Sequence, residues 1–264
     1  RLERIGIDAD DIKITPAGNR LQMTISEISN YPSDINPAIR RIVFENGKME
    51  LWETYNVQEI MHPLMNALGY YSPSDSNSAW IRFTKMIDVS RNLQIAAESC
   101  ELGYVNLKDT MNINRLMDTA LASKILPPGF RYKWSNALLM NNQMFCSVIL
   151  LKAARNSKAT IENPEFDKVE IEDANDENEQ LTFYMSGVDA DSWRRMTKEN
   201  ISRQIAIIVD GTAYTWPTVL GEITGGVFTI TGPHKPGDYE KLKAILETAP
   251  FPVPVRIVEE TVMP

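Results

Sequence analysis

Histidine and cysteine are scarce in this chain, with two of each in 264 residues. Structural zinc is held by four clustered ligands, whereas Cys100 and Cys146 stand far apart with no C-x-x-C spacing. No metal site is therefore expected. His62 falls in a Met-rich helical stretch and His234 in a GPHKPG loop, positions that suit surface or core roles rather than catalysis. Neither cysteine lies in a nucleophile signature, and no G-x-S-x-G elbow is present. With no positioned set of reacting groups, the chain is not expected to be an enzyme or to carry a cofactor. Cys146, within MFCSVILL, reads as a small buried hydrophobe. A Cys100–Cys146 disulfide in an oxidising compartment is the alternative.

Long apolar runs and basic clusters are missing too. The longest aliphatic runs, Ile205–Val209 and Val148–Leu151, fall far short of the roughly 20 residues that span a bilayer. Lys and Arg number 27 against 35 Asp and Glu, a net charge of −8. Phosphate backbones demand the opposite balance, so nucleic acid is not an expected partner. The chain opens without Met, so its lack of a leader says nothing about compartment.

What is present is a regular alternation of strand and helix signals. ADDIKIT and RLQMTIS read as strands joined by PAGN, followed by a helix capped at Asn36 with Pro37 in its first turn. KMELWETY is the next strand. Val57, Ile60, Met61, Leu64, Met65 and Leu68 then recur at helical spacing, opened by Asn56 with Glu59 and closed by Gly69. YYSPSDSNSAW, residues 70–80, reads as a linker or exposed loop. Ile113, Leu116, Met117, Ala120 and Leu121 mark a helix capped near Asp109 or Thr110 and stopped by Pro127-Pro128, and the strands FRYKW and MFCSVILL follow.

Between Glu165 and Glu179 stand eight carboxylates and one lysine. DANDENEQLTFY lacks the central glycine and terminal Glu of an EF-hand loop, so a solvated loop is the reading preferred over a calcium site. The remaining third reads as strand LTFYMS, a helix with Ala190, Trp193 and Thr197 along one side, strands RQIAIIVD, TAYTWPTVL and GVFTITG, helix DYEKLKAILET, and strand VPVRIVEE. GEITGG precedes a strand rather than a helix, so it is a turn and not a phosphate loop. At least one of Gly225 and Gly226 is expected to need a backbone that only glycine adopts easily.

The order β-α-β-β-β-α-β, less one hairpin strand, is the ferredoxin-like βαββαβ arrangement. The fold expected is α+β: an antiparallel-sheet base of this kind with an inserted α+β head. Fold of itself assigns no function.

The residues from Thr197 onward carry a specific ordered series. It comprises Thr197 with Asn200, Asp210 with Gly211, Tyr214 with Pro217, Ile223 with Gly225 and Gly226, Ile230 with Gly232, Pro252 with Pro254, and Glu259 with Glu260. In this order they resemble the end of the first large periplasmic domain of the SecD and fused SecDF family. RLERIGI, the Asn19-Arg20 strand and KMELWETY resemble its N-terminal segments, and GYVNLKD its fused forms more loosely. The chain departs from the family at Ile25-Ser26-Glu27, where Leu-Pro-Gly is usual, and in lacking a glycine before Pro252.

The resemblance implies a non-catalytic periplasmic module of the Sec export machinery. Its partners would be the Sec translocon and unfolded preprotein, with the proton-motive force driving transport through membrane segments outside this sequence. It also implies a discontinuous base, residues 1–69 and 181–264, carrying an inserted head at 70–180 with flanking linkers. Within that head, Phe130, Tyr132 and Trp134 share one face of a strand and could hold polypeptide, or could be the head's core. The contrasting reading is a stand-alone extracytoplasmic binding or scaffold domain that shares only the fold.

Overall fold

Strand pairing in the computed structural model follows the apolar runs. The structure describes residues 10, 12–17, 20–25, 47–70, 78–88, 98–154, 156–172, 179–230 and 238–247. The expected helix from Asn36, RLERIGI, His234, Gly232, Pro252, Pro254, the VPVRIVEE strand and Glu259-Glu260 lie outside the described residues. The chain divides into two compact units.

The larger unit comprises residues 49–166 and 185–227. Its strands are β3 (Met49–Thr54), β4 (Ile87–Asp88), β5 (Glu101–Asn106), β6 (Phe130–Trp134), β7 (Leu138–Met140), β8 (Gln143–Lys152), β9 (Ile161–Glu162), β12 (Ile205–Val209) and β13 (Thr212–Thr215). Among the described residues they form one sheet, with the path β13-β12-β3-β8-β5-β4 and with β6, β7 and β9 off it. The ten-residue β8 is the spine. Along one edge it pairs with β7 and β6, and along the other with β5 and the end of β3, all antiparallel.

Side chains alternate across a strand, and β8 is apolar on both faces. Val148 and Leu150 enter a core with Ile60 and Leu64 of α1 (Val57–Ala67), Phe83 of α2 (Ala79–Met86), and Ile113 and Met117 of α3 (Thr110–Ala122). Ile149 and Leu151 face the other way, onto Trp52, Ala206, Ile208 and Ala213. Each of the four is fully buried, worth on the order of 2 kcal/mol apiece as transfer free energy. A parallel bridge from Ser135 to Ala213 brings the end of β6 back to β13 over this second core.

Local chemistry sets the element ends. Asn56 and Glu59 form a reciprocal capping box at α1, each side chain taking the other's backbone N–H at 2.9 Å. The β12–β13 connection is Asp210-Gly211, both at positive φ (48° and 83°), the left-handed pair that a two-residue hairpin needs. Asn141 and Asn142, at φ 49° and 60°, do the same for β7–β8.

The loop before β14 (Val227–Ile230) is fastened to α4 (Gly187–Glu199). Thr197 Oγ1 accepts the Ile223 N–H at 3.0 Å and lies 3.0 Å from the Trp193 carbonyl, to which its hydroxyl donates. Asn200 Nδ2 donates to the Met196 carbonyl at 2.8 Å. Arg194 pairs with Glu222 at 2.7 Å. Gly226 has φ 68°, and a Cβ there would sit 2.6 Å from the Met185 carbonyl oxygen and 2.9 Å from Ala190 Cβ.

The smaller unit comprises residues 1–48, 167–184 and 228–264. It holds the hairpin of β1 (Ile12–Ala17) with β2 (Arg20–Ile25). A second sheet has the order β10 (Phe166–Glu172), β11 (Gln180–Met185), β14. Phe183 stacks on Phe228 at 4.8 Å, and Thr182 bonds Thr229 at 3.0 Å. In α5 (Asp238–Leu246), Tyr239, Leu242, Ala244 and Ile245 are buried, with Leu246 only partly so.

The architecture is mixed α/β with antiparallel sheets, and it differs from expectation in three respects. β11 and β14 share one sheet while β12 and β13 join the other, so the described C-terminal strands do not lie in a single sheet. The reason is that IAIIV is buried at all five positions and pairs with Met49–Glu53 of β3. The units part at 48/49, 166/167, 184/185 and 227/228. β8 draws β3 and α1 into the same cores as the middle segment. Within 70–80, Ser78 caps a helix that begins at Ala79. In the acidic stretch, Phe166–Glu172 is strand rather than loop, with Val169 buried and Lys168 paired with Glu170.

Gly226→Ala is expected to cost about 1 kcal/mol or more, because both the left-handed backbone and the Met185 carbonyl oppose a Cβ. Gly225 is exposed with open space around it, so Gly225→Ala should be near neutral. Urea unfolding of the two variants decides this; equal costs would break the argument.

Candidate functional site: an uncharged apolar hairpin

From Ser135 to Leu151 no residue carries a charge, in a chain whose net charge is −8. This stretch contains the β7–β8 hairpin. Its register sets Leu138 opposite Phe145, Leu139 opposite Met144, and Met140 opposite Gln143. Leu138, Leu139 and Met144 are exposed, Leu139 by 69%. The hairpin extends beyond the core because β8 is covered on both faces only from Cys146 onward.

Two more exposed apolar side chains flank it. Asn106, opposite Phe145 in the β5–β8 ladder, donates from Nδ2 to Gln143 Oε1 at 2.8 Å. The chain then turns through the 3-10 segment Leu107–Asp109 into α3. Leu107 is half exposed and Met111 is 64% exposed. Arg115, one turn along α3, points a guanidinium nitrogen at Met111 Sδ, 3.8 Å away. Leu139 and Met144 share one face of the hairpin and Leu138 points to the other; with Leu107 and Met111 they are exposed apolar side chains, uncharged within the hairpin and bordered by Arg115 at Met111. Flexible thioethers and leucines suit recognition of varied apolar chains rather than one shaped ligand.

The aromatic residues expected to share a strand face do so, and that face turns toward α3. Phe130 is buried in the core and offers no surface. Tyr132 and Trp134 are half-buried, edge to face at 6.5 Å. Both donate to Asn114 Oδ1, at 3.1 and 2.9 Å. Burial, with the Asp118 carboxylate beside it, pushes the Tyr132 phenol up to about 12.

The signature residues lie elsewhere. Asp210 and Gly211 make a turn, the Pro217 carbonyl accepts the Ile205 N–H at 3.1 Å, Tyr214 is half-buried, and Gly226 permits a close approach. None belongs to the hairpin. A polar depression of about 230 Å³ is lined by Thr54, Asn56, Gln58 and Arg203 among others. There Arg203 is engaged with Glu59 at 2.7 Å and the Thr54 carbonyl at 3.2 Å. Burial opposes ionisation of Glu59, but Arg203 and the Asn56 N–H hold its carboxyl below the usual range.

The cysteines are free and buried. The Leu150 N–H donates to the Cys100 carbonyl, while Cys146 faces Val105. Four strand residues separate those levels, roughly 13 Å at the usual rise, too far for a disulfide. Burial pushes both thiols up, Cys146 to about 11. Among the described residues, no group of three or more His, Cys, Asp or Glu side chains is placed to hold a metal ion. None of the described helices is long and apolar enough to cross a membrane.

Comparison with known proteins agrees on one class, subunits of protein-translocation machinery. Residues 149–253 match the family model described as the SecDF P1 head subdomain. The SecD translocase subunit of Rhodothermus marinus is 25% identical over 245 residues, which cover 84% of this chain and 39% of that protein. The SecDF subunit of Thermus thermophilus is 33% identical over 79 residues, 30% of this chain and 10% of that protein. A solved structure of SecDF, a membrane component that enhances protein export, resembles 99% of this chain and 90% of that one, with a TM-score of 0.48 and 14% identity. Within that class, the chain is similar to the SecDF P1 head subdomain and to SecD subunits. It spans about two fifths of the Rhodothermus marinus protein. The head match overlaps the expected head, 70–180, only over 149–180.

An unfolded tyrosine ionises near pH 10, and folded Tyr132 near 12. The unfolded state therefore loses its proton first, so this stabilisation is complete below about pH 10 and disappears as pH rises toward 12. Tyr132→Phe should flatten that part of the stability profile relative to the parent, as read by urea midpoints across pH 9–12. A parallel decline in both proteins would contradict the burial argument.

Proposed function

We propose that this chain is the periplasmic module of a SecD/SecDF-type export protein, and that the β7–β8 hairpin with Leu107 and Met111 is where it holds unfolded preprotein. The observation that carries the proposal is an uncharged hairpin with exposed apolar side chains on an acidic chain. Unfolded chains share no sequence and differ in charge, but all expose apolar side chains. A neutral surface with pliable thioethers accepts such segments without a charge penalty. The names of the relatives support the export setting. In that setting the partner is the Sec translocon, and the whole protein draws on the proton-motive force through segments outside this sequence.

A base-and-head organisation belongs to the same proposal, with the two units as its natural parts. A ferredoxin-like arrangement in the smaller unit would need a further strand from VPVRIVEE beside β10, β11 and β14. Tyr132 and Trp134 contribute their outward edges to the holding surface, and Phe130 supports them from the core.

The test is the affinity for reduced, carboxymethylated lactalbumin, a permanently unfolded probe, measured by calorimetry. Leu139→Ser with Met144→Ser should weaken binding about tenfold or more, since each buried apolar side chain is worth about 1.5–3 kcal/mol. Both residues are exposed, so thermal stability should move little. Trp134→Ala should weaken binding less. Unchanged affinity in the double variant would remove the hairpin from the site.

A further inference from the structure

Met111 and Met144 differ from every other described methionine. Met49, Met117, Met185 and Met196 are buried and the rest are partly covered, while these two are exposed. Both lie on the apolar surface described above, one on α3 and one on β8. Met111 also has the polar neighbour already noted, the Arg115 guanidinium at 3.8 Å from its sulfur. A thioether is a weak acceptor. A sulfoxide oxygen is a much stronger one, and a guanidinium one helical turn away is placed to donate to it.

We propose that Met111 and Met144 are oxidation sites for peroxide-class oxidants, and that their sulfoxides, with Met111's held by Arg115, close the apolar surface to polypeptide. The closure half rests on the polypeptide-holding reading; the oxidation half does not. In each step hydrogen peroxide transfers one oxygen atom to the thioether sulfur. The sulfur loses two electrons, the O–O bond breaks, and water leaves. The product side chain is polar where the reactant was apolar. At Leu139–Met144 this places a dipole in the middle of the apolar pair. At Met111 the new oxygen draws the side chain toward Arg115 and away from the hairpin. Buried Met117, on the same helix as Met111, serves as an internal control.

The experiment treats the whole chain with hydrogen peroxide, stops the reaction at intervals, and maps sulfoxides by peptide mass. Met111 and Met144 should oxidise at least tenfold faster than Met117 and Met196. The treated chain should bind reduced, carboxymethylated lactalbumin at least tenfold more weakly than the same chain untreated. A Met111→Leu/Met144→Leu variant, compared with itself before and after peroxide, should lose less than twofold. In a Met144→Leu background, adding Arg115→Leu should reduce the loss that peroxide causes. Equal oxidation rates at exposed and buried methionines would overturn the site assignment. An equal loss of binding in the double leucine variant would overturn the closure. If the untreated chain fails to bind the probe, the holding reading fails on its own. Mapping then still decides the oxidation sites, and a fall or no fall in anilinonaphthalene sulfonate fluorescence after peroxide decides the closure.

Discussion

One strand with two apolar faces governs the larger unit. Burying Val148 and Leu150 requires a layer on one side, and burying Ile149 and Leu151 requires a layer on the other. The first demand is met by three helices and the second by the curl of β3, β12 and β13. Strand β8 also has two hydrogen-bonding edges, each shared between two partners, because at ten residues it is longer than any one of them. Its C-terminal half anchors the core, and its first two residues, Gln143 and Met144, are exposed. The exposed hairpin is a consequence of the same strand that builds the interior.

Elements set by nearby residues were legible in the sequence. The Asn56–Glu59 capping box, the Asp210-Gly211 turn, and the strands Met49–Thr54 and Ile205–Val209 can be read from a few adjacent side chains. What could not be read was the choice of partner between distant strands. IAIIV belongs equally well to any sheet that buries both its faces, and nothing local says that β3 outcompetes β11 for it. Ser78 was a visible cap hidden by the polar residues before it. The Asn141-Asn142 pair was a visible turn signal, overlooked because the three-residue β7 has no alternation to announce it.

The candidate site was legible only in part, for a related reason. Alternation correctly groups Phe130, Tyr132 and Trp134, but it cannot say whether a face meets solvent or a helix. That depends on α3 and on Asn114, which accepts from both Tyr132 and Trp134. The hairpin carried a signal of a different kind, the lack of any charge from Ser135 to Leu151. A buried strand explains that lack from Cys146 to Leu151. It leaves the exposed part, Ala137 to Met144, unexplained by burial, and there the missing charge becomes informative.

The residues that carry the resemblance and the residues proposed to act are different sets. Thr197, Ile223 and Gly226 put a hydrogen bond and their shape to one local task, seating a loop against α4, while Asn200 closes the end of that helix through the Met196 carbonyl. Such a fastening tolerates few alternatives, because a hydroxyl must reach one N–H and one backbone must pass close to another. Holding diverse unfolded chains makes the reverse demand. Any leucine-sized or methionine-sized group serves, provided no charge intrudes. On the proposed reading, a site of that kind leaves no fixed residue pattern, only an apolar and uncharged composition at an exposed place. Seeing the resemblance in these fastenings and locating the site from its physical character are therefore separate inferences, and the second needs the structure.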